Sequence, residues 1–266
     1  MKIVQIQMNS QGDKAGNLAD AARLFDEAAQ EKPDIVVLPE YWALLGNSPD
    51  EFHASAETFP DGDAYALMKA KAAEHGYYVH GGSIVEKDGN SFYNTTVVFD
   101  RSGDEVARYR KIHLFDVDVP GGARHRESET IARGEDVVTY EVDGRTVGCS
   151  ICYDIRFPEL FQALRDKGAE VIMLPAAFTL MTGKDHWELL ARARAVETQT
   201  YFLATGQFGT HADGKKACYG HTMAVNPWGH VIAQAGDQVG LAVARLDFPY
   251  LETVRQNLPV ANHHVL

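Results

Sequence analysis

Cysteine is scarce in this chain: Cys149, Cys152 and Cys218 are the only three among 266 residues. They cannot supply the even, regularly spaced set from which small secreted domains build a disulfide framework, and they suit a reducing, cytoplasmic setting. Long apolar runs are also missing. No stretch approaches the ~18 to 20 apolar residues needed to cross a bilayer. The opening Met1-Lys2-Ile3-Val4-Gln5-Ile6-Gln7-Met8 is too short and polar for a secretory signal and lacks a small-residue cleavage site. Basic residues are outnumbered, 25 Lys and Arg against 37 Asp and Glu, for a formal net charge of -12. That balance argues against a nucleic-acid or anionic-membrane partner, because both require a basic surface to neutralise phosphates. Linkers are absent as well: no Pro- or Ser-rich tract, low-complexity run or shift of composition marks a boundary. Residues 1–266 are therefore read as a single domain with enough apolar residues for a substantial core.

What the chain does contain is alternation of strand and helix patterns. Residues 2–8 alternate as a strand, and Asn17 is placed to cap a helix in which Leu18, Ala21, Ala22, Phe25, Ala28 and Ala29 recur at helical spacing. A buried strand over 34–38 follows, then a helix from Asp63 to His75. Strands are expected from Tyr77 to Val85, Ser91 to Phe99 and Glu105 to Arg110, the first two around the turn Lys87-Asp88-Gly89-Asn90. In the second half, a strand over Arg145 to Ile151 leads to a helix from about Pro158, where proline suits a first turn. A buried strand over Val171 to Pro175, a helix over His186 to Gln199 and a strand over Tyr201 to Ala204 come next. Later strands are expected at about Ala217 to Val225, Val231 to Gln234 and Gly240 to Leu246. This order predicts an α/β protein with a mixed sheet and helices packed outside it.

Three of these strands deliver chemically useful side chains. The apolar run between Pro33 and Pro39 ends at Glu40, the strand 105–110 ends at Lys111, and the run 145–151 ends at Cys152, before a turn that opens a helix. That last context presents a nucleophile, with backbone N–H groups gathered behind it to hold negative charge. A free thiol has a pKa of about 8.5 and needs help near neutral pH. Glu40 can take its proton, and the ammonium of Lys111 can hold an oxyanion. Each residue also has a plain alternative. Cys152 could be a small buried hydrophobe, Glu40 half of an ion pair at a sheet edge, and Lys111 part of a solvated run with Arg108 and Arg110.

The segments LPEYW (38–42), YRKIHLFDVD (109–118) and GCSICYDIRFPEL (148–160) resemble the Glu, Lys and Cys motifs of the nitrilase superfamily of carbon-nitrogen hydrolases. The resemblance continues through HWELLARARAVETQ (186–199) and YGHTMAVNPWG (219–229), so it covers nearly the whole chain in order. Within the superfamily the chain is similar to the Nit-type amidases, including the omega-amidases and deaminated glutathione amidases. The resemblance implies a four-layer αββα sandwich with Glu40, Lys111 and Cys152 converging at one end, and homodimers that pair helices. It also implies hydrolysis of a terminal carboxamide of a small acid, such as deaminated glutathione or a related omega-amide, through a Cys152 thioester with no cofactor or metal. A nitrilase or a broader aliphatic amidase would use the same triad. By order and distance from Lys111, Glu127 corresponds to a second glutamate beside the catalytic lysine, the alternative being a solvated loop charge. The GGAR segment (121–124) departs from the tighter family spacing. For the substrate, Tyr153 offers its backbone N–H to the oxyanion. Arg156, four residues after the nucleophile, is the expected partner of an acid group, unless it pairs with Asp154 or Glu159. Thr182, in the loop before His186, is a hydroxyl donor.

A rival reading comes from Cys149 and Cys152, which also spell C-x-x-C. A redox pair or half a zinc site needs that motif in a turn or at a helix start, whereas here it is expected in a strand. His113, His186, His211, His221, His230, His263 and His264 show no ligand spacing, and His186 beside Trp187 is read as structural, lining the site. Asp116 and Asp118 lack the glycine and terminal glutamate of a calcium loop.

Overall fold

A computed structural model describes residues 1–46, 48–118, 124–263 and 265. Gly121, Gly122 and Ala123 of the GGAR segment, and His264, lie outside them. In chain order the elements begin β1 (Lys2–Gln7), α1 (Lys14–Gln30), β2 (Ile35–Val37), α2 (Pro49–Ser55), α3 (Asp63–His75), β3 (Tyr78–His80) and β4 (Ile84–Asp88). They continue β5 (Ser91–Phe99), β6 (Glu105–Arg110), β7 (Asp116–Asp118), β8 (Arg124–Arg126), β9 (Thr139–Val142), β10 (Arg145–Cys149), α4 (Pro158–Asp166) and β11 (Val171–Ala176). The rest are α5 (Leu180–Thr198), β12 (Tyr201–Gly206), β13 (Phe208–His211), β14 (Lys216–Tyr219), β15 (Met223–Val225), β16 (Val231–Gln234), β17 (Gly240–Arg245) and α6 (Phe248–Asn257).

Two mixed sheets form the centre. One has seven strands, ordered β17-β1-β2-β3-β5-β4 with β6 added to β5; the other has six, ordered β16-β15-β12-β11-β10-β9. The strands β1, β2 and β3 run parallel, as do β10, β11 and β12. The period of two along β1 shows how one strand serves two interfaces. Val4, Ile6 and Met8 pack with Leu24 and Phe25 of α1 and Met68 of α3, while Ile3 packs in the cluster that spans both sheets and reaches α4 and α5. Gln5 crosses between the sheets, its Nε2 donating to Thr205 Oγ1 of β12 at 2.9 Å. The layers are thus α1 and α3, sheet, sheet, α4 and α5: the expected αββα sandwich. Among the described residues no helix is long and apolar enough to cross a membrane.

Several boundaries differ from expectation, each for a local reason. Asp13 caps α1, accepting from Gly16 N–H, and the helix begins at Lys14. Asn17 is buried instead, donating to the carbonyls of Gln11 and Ala43 at 2.7 and 3.0 Å. The strand expected over 77–85 breaks at Gly81, Gly82 and Ser83. Gly82 has φ +58°, and a Cβ there would fall 2.1 Å from Pro39 O, so only glycine lets the chain pass behind the residue preceding Glu40. The stretch 217–225 splits at Gly220 (φ +74°) into β14 and β15, which belong to different sheets. The α5 helix starts six residues before His186, at Leu180, so Thr182 sits in its first turn rather than in a loop. Neither α2, α6 nor the β7–β8 hairpin was anticipated, because short elements carry too few periods to stand out.

Candidate active site

The ends of β2, β6, β10 and β11 meet at one end of the two sheets. Beyond β2, Leu38 N–H still bonds to His80 O at 3.1 Å, which keeps the chain in strand register up to Pro39 and aims Glu40 inward. Beyond β6, Lys111 donates its N–H to Asn94 O at 2.9 Å and accepts from Gly134 N–H at 2.8 Å. Its side chain is therefore directed inward, and only 2 % of the residue is exposed. Its neighbours behave differently. Arg108 and Arg110 pair with Glu105, Asp88 and the buried Glu86, whereas Lys111 turns into the interior, so the solvated-run alternative fails for Lys111.

Cys152 is not in a strand. β10 ends at Cys149, Ser150 is tied to Met173 O through both its N–H and its hydroxyl, and Cys152 opens a 3-10 turn with φ +45°. A non-glycine residue in the left-handed region costs about 1–3 kcal/mol and persists only where its surroundings overdetermine it. Asp154 does that here. Fully buried, its carboxylate accepts from Ile151 N–H at 2.8 Å, Tyr109 OH at 2.6 Å, His113 N–H at 3.1 Å and His113 Nδ1 at 2.7 Å. A carboxylate with four donors clamps both sides of the turn. Sequence reasoning considered Asp154 only as a partner for Arg156; the one available signal was that an acid two residues after a nucleophile is costly to bury without donors.

Glu40, Lys111 and Glu127 form a buried ion cluster. Lys111 Nζ donates to Glu40 Oε1 at 3.0 Å and to Glu127 Oε2 at 2.9 Å. Glu40 Oε2 accepts from the N–H of Ala177, just past β11, at 2.7 Å. Glu127 also accepts from Tyr41 OH and from Phe115 N–H, both at 2.7 Å. Asn94 was not foreseen. Its Nδ2 donates to Glu40 Oε1 at 2.9 Å and to Glu127 Oε1 at 3.2 Å, so one amide joins the two carboxylates. Its Oδ1 is buried without a partner among the described residues.

Charge states follow from this packing. Burial alone would lower the Lys111 pKa, but Glu127, Glu40 and Cys152 hold it well above its ordinary value, so Lys111 is an ammonium. Burial would raise Glu127, yet the Lys111 charge, its hydrogen bond and the donors from Phe115 and Tyr41 keep it below the usual glutamate value. The Cys152 thiol is pushed well above its ordinary value by burial and by the hydrogen-bonded Glu40 carboxylate, against the pull of Lys111. At rest it is a protonated thiol facing a carboxylate. Cys149 is fully buried, and burial pushes its thiol far up. The C-x-x-C spacing therefore brings together one thiol in a site and one in the core, not a redox pair.

Above the cluster lies a cavity of about 690 Å³. Glu40, Lys111, Glu127 and Cys152 form its floor, and Tyr153, Arg156 and Thr182 line it, so all seven residues expected at a site are brought together. Arg156 pairs with neither Asp154 nor Glu159. Its guanidinium donates to His186 Nδ1 at 3.3 Å and lies 5.4 Å from the Phe178 ring centre and 5.9 Å from that of Tyr153. Thr182 shares its hydroxyl with Thr179 at 2.7 Å.

A thiol, a carboxylate and an ammonium at the ends of three strands of a four-layer sandwich match a known family along the chain. The model of the carbon-nitrogen hydrolases matches residues 2–256. The chain belongs to the carbon-nitrogen hydrolase family. Among its relatives, an omega-amidase of Danio rerio is 41% identical over 262 residues, covering 97% of this chain and 92% of that protein. A deaminated glutathione amidase of Synechocystis is 38% identical over 263 residues, covering 98% and 96%. Among solved structures, the C. elegans NitFhit protein superposes with a TM-score of 0.90 at 35% identity; the match covers 99% of this chain and 64% of that longer one.

Proposed function

We propose that this carbon-nitrogen hydrolase is an amidase acting on a small acid, cleaving either the terminal carboxamide of an omega-amide, with loss of ammonia, or the substituted amide of deaminated glutathione, with loss of the peptide amine. The observation that carries the reading is the meeting of Cys152, Glu40 and the buried ammonium of Lys111 in one cavity, with Lys111 Nζ 3.0 Å from Glu40 Oε1. When an amide enters, Glu40 takes the thiol proton as the sulfur attacks the carbonyl carbon. The resulting oxyanion is held by the Lys111 ammonium and the Tyr153 N–H. The carbon–nitrogen bond then breaks, the proton on Glu40 passes to the departing nitrogen, and ammonia or the peptide amine leaves a Cys152 thioester. Water enters, Glu40 takes one of its protons, and the thioester is hydrolysed to a carboxylate and free thiol. Glu127 holds Lys111 so that its charge is not spent on Glu40 alone.

Arg156 receives the substrate's acid group, with Thr182 as a neighbouring donor. The reading is supported by its place in the cavity wall without a carboxylate partner among the described residues. The names of the relatives, omega-amidase and deaminated glutathione amidase, favour such acids. The whole of 1–266 acts as one domain in this reading, in a reducing cytoplasm that suits its three unpaired cysteines. It works as a homodimer; the outer side of α5 carries Leu189 and Val196, 67% and 46% exposed, and Val196 lies against Gly229, whose neighbour Trp228 is 51% exposed, an apolar surface suited to a second copy.

The test is ammonia release from 2-oxoglutaramate, succinamate, glutamine, aliphatic amides and nitriles, and cysteinylglycine release from deaminated glutathione, with mass spectrometry of briefly mixed enzyme for an acyl group on Cys152. Glu40→Gln and Lys111→Ala should each lower kcat by at least ~10²-fold. Arg156→Ala should cost ~30-fold or more in kcat/KM on acidic amides and spare uncharged ones. No acyl adduct on Cys152 with any amide would end the proposal.

A further inference from the structure

Arg156 stands in the cavity wall as a half-buried cation without a carboxylate partner among the described residues, yet its guanidinium is held on three sides. The ring centres of Phe178 and Tyr153 lie 5.4 and 5.9 Å from it, and its Nη2 donates to His186 Nδ1 at 3.3 Å. An arginine can only donate. Nδ1 therefore presents its lone pair, and the His186 ring is neutral with its proton on Nε2. His186 is not among the described residues that line the cavity, so it meets the arginine from behind the wall.

The helix α5 is built to face this turn. Gly183, Trp187, Ala191 and Ala195 are buried along it, and Thr182, His186, Leu190 and Arg194 follow one another at i, i+4 spacing beside them, a row that shares one side of a helix. At the far end of the row the buried Arg194 donates from Nε to the Ile155 carbonyl at 2.8 Å, which pins the backbone just before Arg156. At the near end Thr182 lines the cavity, and one turn further on His186 takes the guanidinium. Backbone and side chain of Arg156 are thus held by two residues of the same row. The kind of partner matters. A carboxylate at 186 would grip the arginine more strongly, but it would neutralise the charge and compete with an incoming acid. A neutral lone pair orients the guanidinium and leaves its charge intact. Asp154, two residues before Arg156, is committed to Ile151, Tyr109 and His113 and takes no part.

We propose that His186 is the positioning residue for acidic substrates: accepting from Arg156 as a neutral ring, it aims the remaining N–H groups of the guanidinium at the substrate's acid group without reducing its charge. The inference rests on the reading of Arg156 as the receptor of that acid and deepens it. Selectivity for acidic over uncharged amides then depends on a residue that touches neither the substrate nor the reacting atoms.

The experiment is calorimetric binding of succinamate to Cys152→Ala, which prevents turnover, together with the kcat/KM of the intact enzyme on succinamate and on butyramide, an uncharged amide with the same number of carbons. His186→Phe keeps a ring but has no acceptor. It should weaken succinamate binding about 5- to 20-fold and lower the succinamate-to-butyramide ratio of kcat/KM by a similar factor, through KM more than kcat. His186→Asn returns a neutral acceptor near the place of Nδ1 and should bind within about threefold of its parent, whereas His186→Asp, which adds a charge, should do worse than His186→Phe. In the Arg156→Ala background His186→Phe should cost no more than about twofold further, because the two residues act in series. Equal losses with Phe and Asn, full affinity with Asp, or additive losses with Arg156→Ala would overturn the inference and leave His186 a packing residue. If Arg156→Ala weakens binding and His186→Phe does not, Arg156 keeps its role and His186 loses its own. If Arg156→Ala binds succinamate as tightly as its parent, the reading of Arg156 as the acid receptor fails, and the inference falls with it.

Discussion

Replacing Glu127 by glutamine tests whether the second glutamate serves chemistry or only the fold. In the native cluster Glu127 takes the Lys111 ammonium at 2.9 Å and is itself held by Tyr41 and Phe115. Glutamine keeps the length of the side chain but loses the charge. Lys111 would then lean on Glu40 alone, tying up the carboxylate that receives the Cys152 proton in the proposed mechanism. One hydrogen bond to a charged partner is worth about 1.5–3 kcal/mol. Lost in the transition state, that is about 10- to 150-fold in kcat. Because the variant still has one carboxylate for one ammonium, the fold should survive, with near-wild-type circular dichroism. Acid stability should change in a defined direction. A carboxylate held below its ordinary value of 4.5 stabilises the folded state above that pH, and the gain disappears as pH falls through the folded value. Glu127→Gln should therefore unfold with a shallower dependence on pH below about 4.5. Stopped-flow acylation at neutral pH and thermal melts between about pH 3 and 7 measure both effects. A kcat within threefold of wild type, with only the acid melt altered, would refute the role given to Glu127 and leave it as a structural ion.

The nucleophile turn offers a second measurement: Asp154→Asn replaces an acceptor of four hydrogen bonds by a group that must turn an N–H toward donors. It should cost about 1–3 kcal/mol, or a Tm loss of about 2–12 °C, with slower alkylation of Cys152; an unchanged melt would show that the turn does not need this clamp. Between the two thiols of the C-x-x-C spacing, Cys152→Ala should abolish turnover, while Cys149→Ala should keep most of it and lose some stability. Equal loss in two folded variants would revive a redox role. Asn94 joins Glu40 to Glu127, and its own Oδ1 has no partner among the described residues. Asn94→Leu should lower kcat by about 10-fold with little loss of Tm, and the reverse outcome would make Asn94 a residue of the fold.

Much of this protein was written in local patterns. The apolar runs that end at Glu40 and Cys152, and the more polar strand that ends at Lys111, announce both the strands and the residues delivered at their ends, because a strand's period of two and a following turn are readable in a few residues. The helix over 63–75 and the strand over 105–110 were legible for the same reason. Resemblance to a family, through motifs in register, supplied the sandwich and the glutamate at 127, which no periodicity could. Tertiary structure alone decided the rest. Asn94 lies in the middle of β5 and Asp154 in a turn, and nothing in their neighbours along the chain says that one will bridge two carboxylates or that the other will collect four donors. The meeting of Arg156 with His186 is equally invisible, since 30 residues separate them along the chain. Hydrogen bonds and charges act over a few ångströms of space, whereas sequence records only distance along the chain. Long-range packing converts the one into the other, and it placed these partners where the mechanism meets them.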